Sequence, residues 1–150
     1  MLVKAANGDP RHGYYFEDLS LGMEARHVKR ITADDIQLFA DLSGDDNPVH
    51  LSEDFAARTM FGQRIAHGIL TASLLSTIIG TKLPGPGCIY VSQSLNFRAP
   101  VMIGDEVVAT ARITDLLGER RRAILACSCA VGGKTVLDGQ AVIMVPCRPA

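Results

Sequence analysis

The chain has 150 residues, of which 47% are hydrophobic and 21% charged, with a formal net charge of −1. That length holds one domain with a core of useful size, and the composition is that of an ordinary globular protein. Acids and bases are interspersed, so the broad basic field that nucleic-acid binding needs is absent; the one basic run, Glu119-Arg120-Arg121-Arg122, reads as a solvated hairpin end.

Residues 1–20 mix Gly, Pro and charges without an apolar core of signal-peptide length. Residues 1–13 therefore read as a loose leader to a single domain spanning 1–150, and the expected location is cytoplasmic. Met23 to Ile31 reads as a first strand. Thr32-Ala-Asp-Asp35 then opens a helix, with Thr32 as cap and Asp35 reaching back in a capping box. Ser43-Gly44 ends it, Gly44 being suited to the left-handed residue that follows a helix. A second, short helix is predicted from Ser52, as cap, to about Phe61.

The third helix, His67 to Leu83, differs in kind. Ile69, Leu70, Leu74, Leu75, Ile78 and Ile79 spread around most of its circumference, with small Thr, Ser and Ala between them. A helix apolar nearly all round is buried, yet this stretch is too short and too interrupted to span a bilayer. Pro84-Gly-Pro-Gly87 stops it. The period then changes to two, predicting a strand from Cys88 to Phe97, and further strands follow at about 106–115, 122–131 and 135–145. Gly118 and Gly132-Gly133 supply the turns.

Gly132-Gly-Lys-Thr135 imitates the tail of a phosphate-binding loop. Ser128 stands where that motif needs its first glycine, and a strand follows where a helix should, so it reads as a hairpin turn. Of the four cysteines, Cys127 and Cys129 sit two apart in a strand-like run and Cys88 and Cys147 stand alone. That is neither a zinc spacing nor a disulfide framework, and reduced thiols are expected. The fold class expected is α+β, an antiparallel sheet wrapped around one buried helix.

Chemistry concentrates in Leu42-Ser-Gly-Asp-Asp-Asn-Pro-Val-His50. Gly44 permits an abrupt exit from the helix, and Pro48 pushes Asn47 into an extended conformation, which predicts a stiff crossing to His50. On such a path Asp45 and His50 can converge on one water, and a carboxylate beside an imidazole is a general acid/base pair. The competing reading is an ordinary turn in which Asp45 caps backbone amides. A second feature is Ala66-His67-Gly68, at the start of the apolar helix. The first amides of a helix have no internal partner and its N-terminus is weakly positive. Gly68, with no side chain, leaves its N–H open to an oxygen that gains negative charge. Alternatively Gly68 only allows close packing and His67 caps the helix.

Gly44-Asp45-Asp46-Asn47-Pro48-Val49-His50, followed by Ala66-His67-Gly68, resembles the hydratase motif of the MaoC-like, R-specific enoyl-CoA hydratases, which are hotdog-fold proteins. Asn96-Phe-Arg-Ala-Pro-Val101 with Gly104-Asp105 is similar to a segment shared more widely among hotdog proteins. The resemblance runs from about residue 14 to residue 146. It implies a sheet wrapped around a long central helix, and it makes Asp45, His50 and Gly68 the catalytic candidates. Asn47, His67, Ser76 and Arg98 are the substrate-binding candidates, Ser76 matching a serine that the family places near its site. Arg64, Lys82 and Arg98 are the cations within reach of phosphates, each otherwise read as a solvated surface charge.

The implied reaction adds water across a trans-2-enoyl-CoA to give the (R)-3-hydroxyacyl-CoA. It needs no cofactor and no metal, and the implied assembly is a homodimer. Hotdog thioesterases and the dehydratases of bacterial fatty-acid synthesis commonly carry an acid on the central helix; His67 to Leu83 contains no Asp or Glu. A non-catalytic acyl-thioester-binding module is the other alternative, and it would not need Asp45 and His50 together.

Overall fold

The computed structural model describes residues 8–150. Its sheet has six strands: β1 (Glu24–Arg30), β2 (Ile89–Gln93), β3 (Asn96–Phe97), β4 (Glu106–Leu117), β5 (Arg122–Val131) and β6 (Lys134–Met144). The order is β1-β4-β5-β6-β2, with β3 also on β6, and every pairing is antiparallel. The helices are α1 (Ala33–Ser43), α2 (Pro48–Leu51), α3 (Glu53–Ala57) and α4 (Gly68–Thr81).

The sheet wraps α4 because the two surfaces fit. On the inward face of β4, Val107, Ala109, Ala111 and Ile113 are buried at every second position, and Ala123, Leu125, Cys127 and Cys129 do the same on β5. Alanines at this face let the helix come close, and Leu74, Leu75, Ile78 and Ile79 of α4 fill the space between. Each large side chain buried this way contributes roughly 1.5–3 kcal/mol.

Several local expectations are met in detail. The Thr32 hydroxyl accepts from the Asp35 N–H and the Asp35 carboxylate accepts from the Thr32 N–H; Gly44 ends α1 at φ 81°. Gly132 and Gly133, both at positive φ, turn β5 into β6. Glu119 to Arg121 lie exposed in a short turn between β4 and β5.

Others need correction. Residues 1–7 of the expected leader lie outside the described residues, but His12 and Gly13 are docked: the His12 ring stacks on Tyr15 at 4.1 Å and the Gly13 N–H donates to Pro86 O. The helix expected to reach Phe61 stops at Ala57. The stiff crossing expected from Asn47 to His50 takes the form of a turn of helix, Pro48 to Leu51, since proline's fixed φ suits a first helical position and Asn47 caps it. Helix α4 is not buried all round, because Ile69 and Ser76 are exposed. Finally, the strand predicted over Cys88 to Phe97 is broken into β2 and β3. Ile89, Tyr90, Val91 and Phe97 are exposed on them, because this stretch forms the edge beyond β6 and not a half-covered strand.

Candidate active site

The exit from α1 is built from local hydrogen bonds. The Ser43 hydroxyl donates to Phe39 O and accepts from the Asp45 N–H. Asp45 Oδ1 then accepts from the Asn47 N–H, and Asn47 Oδ1 from the Val49 N–H. Asn47 thereby starts α2, which carries His50 in its only turn. The Arg64 guanidinium donates to His50 O at 2.6 Å and faces Glu53 at 3.6 Å, so this cation is turned inward to hold the segment.

His50 is 8% exposed, and its Nδ1 lies 2.7 Å from Ile65 O. A carbonyl only accepts, so Nδ1 carries the hydrogen and Nε2 keeps its lone pair. Burial holds the imidazole below its ordinary pKa; the hydrogen bond to Ile65 opposes this, His67 adds to the lowering and Asp45 works against it. The result is a neutral ring with one basic nitrogen near a carboxylate.

His67 is 2% exposed, and its ring stacks on His50 with centroids 3.8 Å apart and planes inclined by 28°. Its Nε2–H donates to the backbone carbonyl of Asp45 at 2.9 Å. It occupies the N-cap position of α4 but its side chain makes no capping hydrogen bond, which corrects the expectation that it caps the helix. One ligand-type atom from each of Asp45, His50 and His67 lies within 4.8 Å of the others. Imidazole lone pairs lie in the ring plane, however, and planes stacked at this separation and tilt meet far beyond a metal–nitrogen bond of about 2 Å. The stacking therefore suits a hydrogen-bonded water better than a metal ion.

Gly68 begins α4. The first amide to find an acceptor among the helix's own turns is that of Thr71, on His67 O, so the N–H groups of Gly68, Ile69 and Leu70 have no partner within it. A side chain at position 68 would collide with Phe97 unless that ring moved: an ideal Cβ would lie 2.6 Å from it. The packing reading of Gly68 is thus correct, and it leaves the amide approachable. A cavity of about 520 Å³ opens here, lined by Gly68, Ile69, Thr71, Phe97, Val101 and Leu137 among others. Asp45 and His50 are not on its wall; Ile65, which is, accepts the His50 ring hydrogen through its carbonyl.

The family described as "MaoC like domain" matches residues 20–126. This chain is a member of that family. The MaoC-like chain is 57% identical to a 3-hydroxybutyryl-CoA dehydratase of Methylorubrum extorquens, over 88% of its own length and 84% of that protein's. It is 51% identical to an (R)-specific enoyl-CoA hydratase of Rhodospirillum rubrum, over 90% and 94%. In structure it is similar to an (R)-hydratase of Aeromonas caviae involved in PHA biosynthesis: TM-score 0.84, 44% identity, covering 87% of this chain and 99% of that one. The fold is accordingly the hotdog.

Within this MaoC-like site Asp45, His50 and His67 come together, with Gly68 next in the chain after His67; the side chains of three other candidates are outside that cluster. Asn47 spends its side-chain oxygen on the α2 cap. Arg98 borders the cavity, with its guanidinium on Asp138 at 2.6 Å. Ser76 is on the exposed side of α4, two turns beyond Gly68 and off the cavity wall. Lys82 is engaged with Arg26 O. Sequence reasoning missed Ile65, whose carbonyl sets the His50 tautomer, and Phe97, which closes over Gly68. Neither leaves a sequence signal, because each acts through its position in space. It also missed Thr71, whose buried hydroxyl has no partner among the described residues.

Proposed function

We propose that the chain catalyses the reversible, (R)-specific hydration of trans-2-enoyl-CoA to (R)-3-hydroxyacyl-CoA. The observation that carries this is the neutral, tautomer-fixed His50 beside the Asp45 carboxylate at the unpartnered start of α4. The names of relatives with which it shares 44–57% identity agree.

The chemistry follows from charge flow. In an enoyl thioester the double bond is conjugated with the carbonyl, so water adds at C3 once the developing enolate oxygen is stabilised. The Gly68 N–H, at the positive end of α4, serves that oxygen. Asp45 and His50 hold the water. As the C3–oxygen bond forms, the pair accepts one of its protons, and it returns a proton to C2 when the enolate collapses. The one water balances the step: its hydroxyl goes to C3 and a proton, passed through the pair, goes to C2. The cavity takes part of the thioester and the reacting carbons sit at its rim, between Gly68 and the pair. Arg98, on the cavity wall, would meet the carrier's phosphates only by giving up its bond to Asp138, and Asn47 acts by shaping the turn that carries Asp45 and His50.

The same reading makes the working unit a homodimer. The exposed edge strand β2 presents Ile89, Tyr90 and Val91, and an open apolar edge favours pairing with a second copy. Ser76 would then meet substrate from the side of α4 that a second copy covers. Among the described residues no helix is long and apolar enough to cross a membrane, and the enzyme is read as cytoplasmic, acting in fatty-acid metabolism. Steady-state loss of the conjugated enoyl-thioester absorbance, over a series of chain lengths, tests the proposal. Release of free thiol without hydroxyacyl product would replace it with a thioesterase.

A further inference from the structure

We propose that His67 is a positioning residue, a buried imidazole that ties the backbone at Asp45 to the start of α4 and backs the ring of His50. The proposal rests on the reading of Asp45 and His50 as the reacting pair.

The Gly44–Asn47 segment is exposed, and its other hydrogen bonds are local. The Asp45 N–H goes to Ser43, the Asp46 N–H to Gly44 O and the Asn47 N–H to Asp45 itself. Such bonds shape a turn but do not fix where the turn stands relative to a helix more than twenty residues later. Among the described residues the hydrogen bond that does so is His67 Nε2–H to Asp45 O, 2.9 Å long. His67 directly precedes Gly68, so this contact sets the distance between the carboxylate and the amide.

The ring also has two aromatic neighbours: Phe39 of α1 at 4.7 Å, tilted by 54°, and the stacked ring of His50 at 3.8 Å. At 2% exposure His67 presents less surface than His50 at 8%, and its Nε2–H is spent on Asp45 O, so it is read as acting through the pair and not by direct contact with substrate, the role the sequence suggested. It joins the carboxylate, the imidazole and the helix amide into one rigid unit, and a displacement near 1 Å in such a unit costs about 10²-fold in rate.

Two substitutions separate its two contacts. His67→Phe keeps an aromatic ring between Phe39 and His50 but cannot donate to Asp45 O. His67→Gln restores a donor without the ring. The expectation is that H67F lowers kcat by at least about tenfold while KM stays within about threefold, and that H67Q turns over at least about tenfold faster than H67F. A folded H67F with near-normal kcat, a loss falling mainly in KM, or an H67Q no better than H67F would each overturn the proposal.

Should H67F fail to fold, two-bond proton–nitrogen correlation spectra of the wild-type protein decide the matter. A His67 ring protonated at Nε2 supports it, and one protonated at Nδ1 instead overturns it. Asp45→Asn is the control for the underlying function. A fully active D45N would sink the reading of the pair while leaving the tautomer result standing.

Discussion

Replacing Gly68 with alanine separates its two roles, packing and oxygen binding. The new methyl would lie 2.6 and 2.7 Å from Phe97 Cε1 and Cδ1, where ordinary contact begins at 3.4 Å. The ring must therefore retreat by roughly 1 Å. Phe97 is 54% exposed and belongs to the two-residue β3, so rotation of its side chain absorbs the shift and the backbone does not. Displacing the ring costs about 1 kcal/mol, and alanine's higher helix propensity returns up to about 1 kcal/mol. Stability should change by less than about 1 kcal/mol, moving Tm by no more than about 2–4 °C. Turnover should respond very differently. Alanine keeps the N–H, but its methyl and the displaced Phe97 ring crowd the place proposed for the thioester oxygen, and a donor obstructed in this way should cost up to the roughly 10²–10³ in kcat that losing one costs. Thermal melts and enoyl-CoA hydration rates on the same preparation give both numbers. A folded Gly68→Ala enzyme with near-normal kcat would refute the oxygen-binding role, and a large fall in Tm would refute the claim that Phe97 yields.

Asp45→Asn and His50→Gln should each lower kcat by about 10²-fold or more, and because both act on one water the double variant should be far less than multiplicatively worse; independent, multiplying effects would contradict a shared water. His50 is held below its ordinary pKa of 6.5, so its basic form persists to lower pH, and the acid limb of kcat/KM should fall below 6.5. The sign for stability is the same: the unfolded chain takes up this proton first, so the contribution is complete above 6.5 and is lost as pH falls through the folded value. Titrating activity and thermal stability across that range checks both. Light scattering should give the mass of two chains, and Val91→Lys on β2 should shift it toward one; a fully active wild-type monomer would remove the dimer.

Much of this architecture could be read from the residues because its determinants are local. The Thr32–Asp35 capping box, the left-handed Gly44 and the Gly132-Gly133 turn each act within a few positions, and each appears as expected. Misreadings arose where two local rules competed or where the outcome depended on distant chain. At Pro48 the restriction on Asn47 was right, since Asn47 is extended at ψ 123°, but the same proline also suits a first helical position and α2 followed. At Cys88 to Phe97 the alternation was real, yet burial depends on what covers an edge strand, and period alone does not tell. The Asp45–His50 juxtaposition was legible because both lie in one short segment. The hydrogen bonds that make it work, from His50 to Ile65 and from His67 to Asp45, join residues 15 and 22 positions apart and leave no pattern in the sequence.

The stereochemistry of the product tests the central claim most directly. Asp45 and His50 come from one segment and Gly68 is proposed to hold the thioester oxygen, so hydroxyl and proton should arrive on a single face of the double bond. That this face gives the (R)-product follows from the likeness to (R)-specific hydratases and not from the geometry. Hydration of a trans-2-enoyl-CoA coupled to a dehydrogenase specific for (S)-3-hydroxyacyl-CoA gives the decisive readout. The expected result is steady loss of enoyl absorbance with no reduction of the nicotinamide cofactor, and prompt reduction when an (R)-specific dehydrogenase is substituted. Rapid reduction with the (S)-specific enzyme, or no loss of enoyl absorbance at all, would contradict it.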